Sequence, residues 1–225
     1  MNYLQKIWKS SLFLLLFSTL LIEQSFAQLT PIPSPAGYEN ASSGYYDNPI
    51  VVGTDSYMRY YGDDNNYDLA KYDGTALTII PSPAGYTASG GGYAGLPIVV
   101  GADLYMRYWG DDGNFDLAKY DGTTLTIIPS PAGYTANLKG YLGTPIVVGT
   151  DLYMQYIGND GNYDLAKYDG TALTIIPSPT GYTASSRGYF GNPIVVGTDL
   201  YMRYRRDDGN FDLAKYDGTT LTIIP

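Results

Sequence analysis

Along the chain, apolar residues come in short runs broken by clusters of Gly, Pro, Asp and Asn, which is the spacing of strands and turns. In residues 97–128 the run Pro97-Ile98-Val99-Val100 closes on Gly101-Ala102-Asp103. Leu104-Tyr105-Met106-Arg107-Tyr108 follows, then a loop from Trp109 to Asn114, then Phe115-Asp116-Leu117-Ala118-Lys119-Tyr120. Asp121-Gly122 is a strong hairpin signal. The last run, Thr124-Leu125-Thr126-Ile127-Ile128, stops at Pro129-Ser130-Pro131, where prolines remove ladder donors. No segment sets apolar residues at steps of three and four over a helical length. The pattern predicts a four-stranded antiparallel meander. Leu104, Met106 and Tyr108 point one way, while Val99 and Ala118 need not.

This unit is copied four times. Pro-Ser-Pro begins at Pro33, Pro81, Pro129 and Pro177, and Lys-Tyr-Asp-Gly at Lys71, Lys119, Lys167 and Lys215. Both series step by 48 residues without insertion or deletion. The repeats are therefore 33–80, 81–128, 129–176 and 177–224, within a repeat region 33–225. One such sheet cannot bury two apolar faces alone, so neighbouring copies must cover each other. The expected fold is all-β, a β-propeller of four 48-residue, four-stranded antiparallel blades, on its own or within a larger propeller. A β-helix with two coils per repeat is the structural alternative. The repeated Asp-Gly reversals argue against it, because parallel coils avoid tight antiparallel turns.

The order Pro-Ile-Val-Val, Leu-Tyr-x-x-Tyr, Leu-Ala-Lys-Tyr-Asp-Gly-Thr, Leu-Thr-Ile-Ile-Pro resembles a kelch-type blade. Its Asp-Gly-Thr turn is similar to the Asp-Gly-Thr repeats of exported bacterial propellers. The resemblance covers all four repeats and implies a binding platform, since kelch-type propellers include interaction proteins and some oxidases. Leu29-Thr30-Pro31-Ile32 echoes the last strand of a repeat, making 28–32 a spare N-terminal strand. All four repeats nevertheless own a fourth strand. This leaves open a self-contained ring, a longer protein, or repeats that assemble between chains.

Residues 1–27 have the layout of a secretory signal peptide. Lys6 and Lys9 precede an apolar stretch from Ser11 to Ile22, and Ser25-Phe26-Ala27 supplies small residues at −3 and −1. A membrane anchor is the alternative, but the apolar stretch is short for a span of about 20 residues. Cleavage predicts an exported protein (periplasmic, cell-surface or extracellular) without stable membrane insertion.

Composition narrows the chemistry. Cysteine and histidine are both absent, which removes disulfides, thiolate nucleophiles, imidazole bases and histidine-bound metals. Without Lys6, Lys9 and Glu23 the chain carries 11 basic and 21 acidic residues, a net charge of −10. So acidic a surface repels phosphate backbones, and no nucleic-acid partner is expected.

Differences between copies locate a candidate surface. In a meander the second-to-third loop and the connection between repeats share one end, and substitutions collect there. Tyr46, Ala94, Leu142 and Phe190 are equivalent, as are Tyr61, Trp109, Ile157 and Arg205, and Ser43, Gly91, Lys139 and Arg187. Large side chains at these places (Tyr46, Tyr61, Trp109, Lys139, Leu142, Ile157, Arg187, Phe190 and Arg205) suit recognition of a protein or glycan. Drift in solvent-exposed loops is the competing explanation.

Every copy also carries Asp, Asn and Asp at alternate positions: Asp64-Asn66-Asp68, Asp112-Asn114-Asp116, Asp160-Asn162-Asp164 and Asp208-Asn210-Asp212. Oxygen ligands so spaced suit Ca²⁺; the same residues also belong in turns for backbone reasons. The EF-hand pattern fails, with Leu117 and Thr123 at its glycine and glutamate positions. No other cofactor is expected. Glycoside hydrolysis by paired carboxylates needs unlike environments, whereas these aspartates repeat identically. Only Glu39 and Asp47 are peculiar to one copy, so a non-catalytic binding module is expected ahead of a structural or adhesive array, and an Asp-dependent carbohydrate-active enzyme last.

Overall fold

The computed structural model describes residues 31–40 and 43–224, which include no helix. The leader therefore lies outside the described residues. Of the spare strand 28–32 only Pro31 and Ile32 are described, and neither belongs to a strand. No helix among the described residues is long and apolar enough to cross a membrane.

From Ser34 onward the chain is one compact unit of sixteen strands in four blades. The first blade holds β1 (Gly44–Val52), β2 (Asp55–Tyr61), β3 (Tyr67–Tyr72) and β4 (Leu77–Ile80). The second holds β5 (Gly92–Val100), β6 (Asp103–Trp109), β7 (Phe115–Tyr120) and β8 (Leu125–Ile128). The third is β9 (Gly140–Val148), β10 (Asp151–Ile157), β11 (Tyr163–Tyr168) and β12 (Leu173–Ile176). The fourth is β13 (Gly188–Val196), β14 (Asp199–Arg205), β15 (Phe211–Tyr216) and β16 (Leu221–Ile224). Within each blade the strands pair antiparallel in chain order, the expected meander.

The first strand of each blade is longer than the sequence suggests. β5 begins at Gly92, five residues before Pro97, and pairs Gly92 with Trp109 and Ala94 with Arg107. Pairing resumes at Ile98 opposite Tyr105, so three residues oppose one across the gap. Proline has no N–H for the ladder, and a bulge at Gly95-Leu96-Pro97 absorbs it. The bulge residue is left-handed, with φ +83° at Gly95, +78° at Gly143 and +83° at Gly191. The first blade has Asp47 there, at φ +70°.

Blades are joined by a short parallel bridge. Tyr67 meets Gly92, Phe115 meets Gly140, and Tyr163 meets Gly188. Contact is close enough that a Cβ on Gly140 would stand 2.2 Å from the Phe115 carbonyl oxygen, so only glycine fits. The first strands of successive blades lie side by side, and the blades cover one another face to face.

Each interface has the same two halves. One blade gives Tyr57 and Leu69; the next gives Tyr93, Leu104, Met106, Tyr108, Ala118 and Tyr120. Tyr105 and Leu117 meet Tyr141, Leu152, Met154, Tyr156, Ala166 and Tyr168 in the same way, and Tyr153 and Leu165 meet the fourth blade. Ala118 and Val99 pair with Met106 and Leu104, so they share that face. The opposite face belongs to Ile98, Tyr105, Arg107 and Leu117. Leu69, Leu117 and Leu165 are all 0 % exposed. Their fourth-blade equivalent, Leu213, is 46 % exposed because no further blade lies over it.

Candidate functional site

The two ends of the blades are built differently. At the end carrying the strand 3–strand 4 turn, Asp73, Asp121, Asp169 and Asp217 each accept hydrogen bonds from the backbone N–H groups two and three residues on. The Thr75 and Thr171 hydroxyls first and these backbone bonds next hold the carboxylates of Asp73 and Asp169 down to a pKa of about 2, and the Thr124 N–H followed by the Thr123 hydroxyl does the same for Asp121. Lys71, Lys119, Lys167 and Lys215 pair with Asp55, Asp103, Asp151 and Asp199 at 2.5–2.7 Å. This end is uniform and its charges are mutually satisfied.

The other end holds the Asp-Asn-Asp triplets, and backbone occupies them. Asp64, Asp112, Asp160 and Asp208 each accept the N–H of the Asn two residues on, at 2.9 Å. Asn66 donates to the carbonyls of Tyr86 and Ala88 in the following connection, and Asn162 to that of Tyr182. The second aspartates serve the next connection as well: Asp68, Asp116 and Asp164 accept the N–H of Ser82, Ser130 and Ser178 at 2.6 Å. Their other oxygens accept the hydroxyls of Tyr38, Tyr86 and Tyr134, and Asp212 accepts that of Tyr182. Burial first, and the carboxylate partner second, raise these tyrosine pKa values. The oxygens that the sequence offers to Ca²⁺ are engaged by protein donors in this structure. In the first and third triplets the Asn side chain reaches out to backbone carbonyls of the following connection, whereas Asn114 donates to Asp116 and Asn210 to Asp208 within their own triplets; among the described residues no group of three or more acidic residues is placed to share an ion. The physical role of the triplets is to rivet each connection to the blade before it, through its Ser N–H, and to the blade after it, through its Tyr hydroxyl.

Above those rivets, on one face of each blade, lies a side-chain cluster whose composition changes from copy to copy. Strand pairing sets Tyr46 beside Arg59 and Tyr61 beside Tyr67. The Arg59 guanidinium carbon lies 4.6 Å from both the Tyr46 and Tyr67 ring centres, and Tyr61 packs on Tyr67 at 4.6 Å. In the second blade Arg107 stacks on Phe115 at 4.5 Å, with Trp109 on the same ring at 5.5 Å. In the fourth, Arg203 lies over Phe211 at 4.4 Å and Phe190 at 5.0 Å, and Arg205 over Phe211 at 5.6 Å. The third blade lacks the cation. Gln155 pairs with Leu142 and Ile157 with Tyr163, and the Gln155 amide donates to the Tyr189 carbonyl.

The variable residues named from sequence thus fall largely into one repeated cluster: Tyr46 with Tyr61, Trp109, Leu142 with Ile157, and Phe190 with Arg205. Lys139 and Arg187 are used differently. Their carbonyls accept the N–H of Phe115 and Tyr163 in the bridge between blades. Sequence reading missed the centre of each cluster, Arg59, Arg107, Gln155 and Arg203, and the strand-3 residues Tyr67, Phe115, Tyr163 and Phe211. The bulge hid them. Counting back from the Gly53-Thr54 turn sets Arg59 opposite Asn48, two residues from its true partner Tyr46.

The guanidinium groups are not equivalent. Arg59 is neutralised by Asp47 at 2.7 Å. Arg107 and Arg203 have glycine (Gly95 and Gly191) at that bulge position, and no carboxylate within ion-pair distance among the described residues. The Arg107 Nε is buried without a hydrogen-bond partner, and burial lowers its pKa, with the Arg59 charge adding slightly in the same direction. Flat apolar rings beside a fork of donors can stack on an apolar plane while binding oxygens at its edge.

Four four-stranded blades that cover one another in series define a β-propeller repeat protein. No family model matches the sequence, and no curated protein matches it. Among solved structures it is similar to the β-propeller domain of the Trilobed protease from Pyrococcus furiosus, with a TM-score of 0.48 at 11% identity over 82% of this chain. It is similar also to the Aleuria aurantia lectin in complex with α-methyl-L-fucoside (TM-score 0.43, 14% identity, 81% of this chain) and to an α-L-arabinofuranosidase from Clostridium thermocellum (0.35, 12%, 85%). The chain spans 55% of the protease domain, 61% of the lectin and 75% of the glycosidase.

Proposed function

We propose that this protein is an exported, non-catalytic recognition module of the kelch-like, Asp-Gly-Thr kind that binds glycans at the aromatic–guanidinium clusters. One observation carries the reading: a cation flanked by aromatic rings recurs at the same end of three blades, and in two of them it has no protein counter-ion. At Arg107, whose Nε is buried without a partner, a guanidinium left without a carboxylate is costly unless a ligand completes it; Arg203 is exposed, and its fork is open to a ligand. A sugar fits, because its apolar face stacks on a ring while its hydroxyl or carboxylate oxygens accept from the fork. The engagement of the aspartates with backbone supports the absence of chemistry of the chain's own, and the leader supports export.

Binding of the purified chain to a panel of immobilised glycans tests this. Arg107→Ala and Arg203→Ala together should raise Kd for any glycan bound by about tenfold or more, equivalent to about 1.4 kcal/mol. Arg59→Ala, which removes a cation already neutralised, should change it less. Undiminished binding by the double variant would refute the assignment.

A further inference from the structure

The chain makes one kind of interface three times within itself, and among the described residues no blade covers the matching half at either end of the row. The half used by Tyr57 and Leu69 is repeated in the fourth blade by Tyr201, Leu213, Ile194 and Ile224, where Ile194 is 64% and Leu213 46% exposed. The half used by Tyr93, Met106, Tyr108 and Tyr120 is repeated in the first blade by Tyr45, Met58, Tyr60 and Tyr72, of which Met58 and Tyr72 are half-buried and Tyr60 is buried at 5%, packed on Tyr38. Tyr45 is 52% exposed, against 1–2% for Tyr93, Tyr141 and Tyr189.

The polar parts of the joint are unused too. The exposed Asn210 amide turns back onto Asp208 at 3.1 Å, whereas Asn66 and Asn162 clamp the carbonyls of the following connection. Beside Gly92, Gly140 and Gly188 the carbonyl of the preceding blade stands 2.1–2.2 Å from where a Cβ would be. Beside Gly44, among the described residues, that slot is open, the nearest atom being Ser34 Oγ at 3.8 Å.

We propose that the open face of the fourth blade docks on the first blade of a second copy of this chain, head to tail, reproducing the internal interface. The occupant is a second copy because both halves, apolar and polar, already fit each other three times over in this structure. Phe211 would bridge to Gly44 of the second copy, and Asn210 would clamp the connection holding its Tyr38. Tyr201 would stand against Tyr72 of the second copy as Tyr57 stands against Tyr120, Tyr105 against Tyr168 and Tyr153 against Tyr216, at 5.8–5.9 Å between rings. One departure sets the strength: Ser56 occupies the place of Leu104, Leu152 and Leu200, so docking is weaker than an internal joint and reverses on dilution. An interface between unlike surfaces gives a ring where its rotation closes and a filament where it does not.

Sedimentation velocity of the chain over a hundredfold concentration range should show reversible growth beyond the monomer, abolished by Leu213→Asp. Leu213 is exposed, so that variant keeps its fold, which circular dichroism verifies. The chain has no cysteine, so thiol cross-linking gives the geometry. A short bis-maleimide should link Tyr201→Cys protein to Tyr72→Cys protein when the two are mixed, and should not link Tyr201→Cys protein to itself. A monomer at every concentration, association indifferent to Leu213→Asp, or self-linking of the Tyr201→Cys protein would each overturn the proposal. Coverage of the face by the chain's own N-terminal segment would appear as the first of these.

Discussion

Leu117 and Leu213 are the same residue of the same repeat, one covered by the next blade and one not. Truncation of each to alanine therefore isolates the contribution of blade-to-blade covering. Leu117 is 0 % exposed and lies among Tyr141, Leu152 and Met154, so its removal leaves a cavity between two sheets that cannot both close in. A fully buried Leu→Ala change costs roughly 2–5 kcal/mol, and a site confined on both sides belongs near the middle, about 3 kcal/mol. Leu213 loses less than about 1 kcal/mol, because nearly half of its surface is already in water and no cavity forms. For a cooperative domain of this size, each kcal/mol moves Tm by about 2–4 °C. The expected drop is thus roughly 6–12 °C for Leu117→Ala and at most about 4 °C for Leu213→Ala. Urea and thermal unfolding followed by circular dichroism would measure both, at concentrations low enough that copies are apart. Leu69→Ala and Leu165→Ala should behave like Leu117→Ala. Equal losses at Leu117 and Leu213 would refute the reasoning, since they would mean that the fourth-blade face is covered within a single chain.

Acid should loosen the Asp-Gly-Thr turns. The folded carboxylates of Asp73, Asp121 and Asp169 sit near pKa 2 against an ordinary 3.8. Their contribution is complete above the unfolded value and is lost as pH falls from about 4 to about 2; Asp121→Ala should flatten the stability profile in that window, and an unchanged slope would count against the turn bonds. Gly140→Ala should cost about 3 kcal/mol or more in urea unfolding, because its Cβ would collide with the Phe115 carbonyl at φ +89°. Gly143→Asp, with open space around it at φ +78° and Asp47 as precedent, should cost only about 1 kcal/mol. Asp47→Gly should free Arg59 and bring first-blade glycan affinity toward that of the second blade, read by titration calorimetry on an Arg107→Ala, Arg203→Ala background. No gain would argue that the counter-ion does not gate the site.

The blade count and the meander are legible in the sequence because turn chemistry is local: Asp-Gly, Gly-Thr-Asp and Pro-Ser-Pro each act within a few residues of themselves. Register is not local. The Gly95-Leu96-Pro97 bulge moves pairing by two positions, which leaves every side chain on its original face but changes its neighbour. For that reason the variable residues Trp109 and Phe190 could be picked out while Arg107 and Arg203, which they surround, could not. The aspartate triplets are ambiguous in the sequence for a related reason. Alternate oxygens in a loop suit a cation or a run of N–H groups equally well, and only the path of the following connection, brought back over Asn66 and Asp68 by Ser82 and Tyr86, shows which donors are in reach.

That return path also explains why one end of the molecule is both the most constant and the most varied. Asp64 holds the Asn66 N–H of its own loop, Asn66 and Asp68 each hold a backbone group of the following connection, and the Tyr38 hydroxyl is held by Asp68. A change in any of them leaves a buried donor or acceptor unpaired, at a cost of about 1–3 kcal/mol. Substitution instead collects at the positions of Tyr46, Tyr61 and Arg59 and their equivalents on the face above the rivets, and at that of Ser43, Gly91, Lys139 and Arg187 in the connections; Gln155 alone of the residues at the Arg59 position is seen to donate to a carbonyl. The first three are also the positions where a cation meets aromatic rings. A frame fixed by main-chain bonds lets the cluster change from Tyr-Tyr-Arg to Trp-Ala-Arg to Ile-Leu-Gln without moving a strand. Copies made from one repeat can then differ in what they bind while remaining identical in how they stack, and the uncovered halves at Tyr45 and Leu213 extend the same rule beyond one chain, since any copy fits any other whatever its clusters hold.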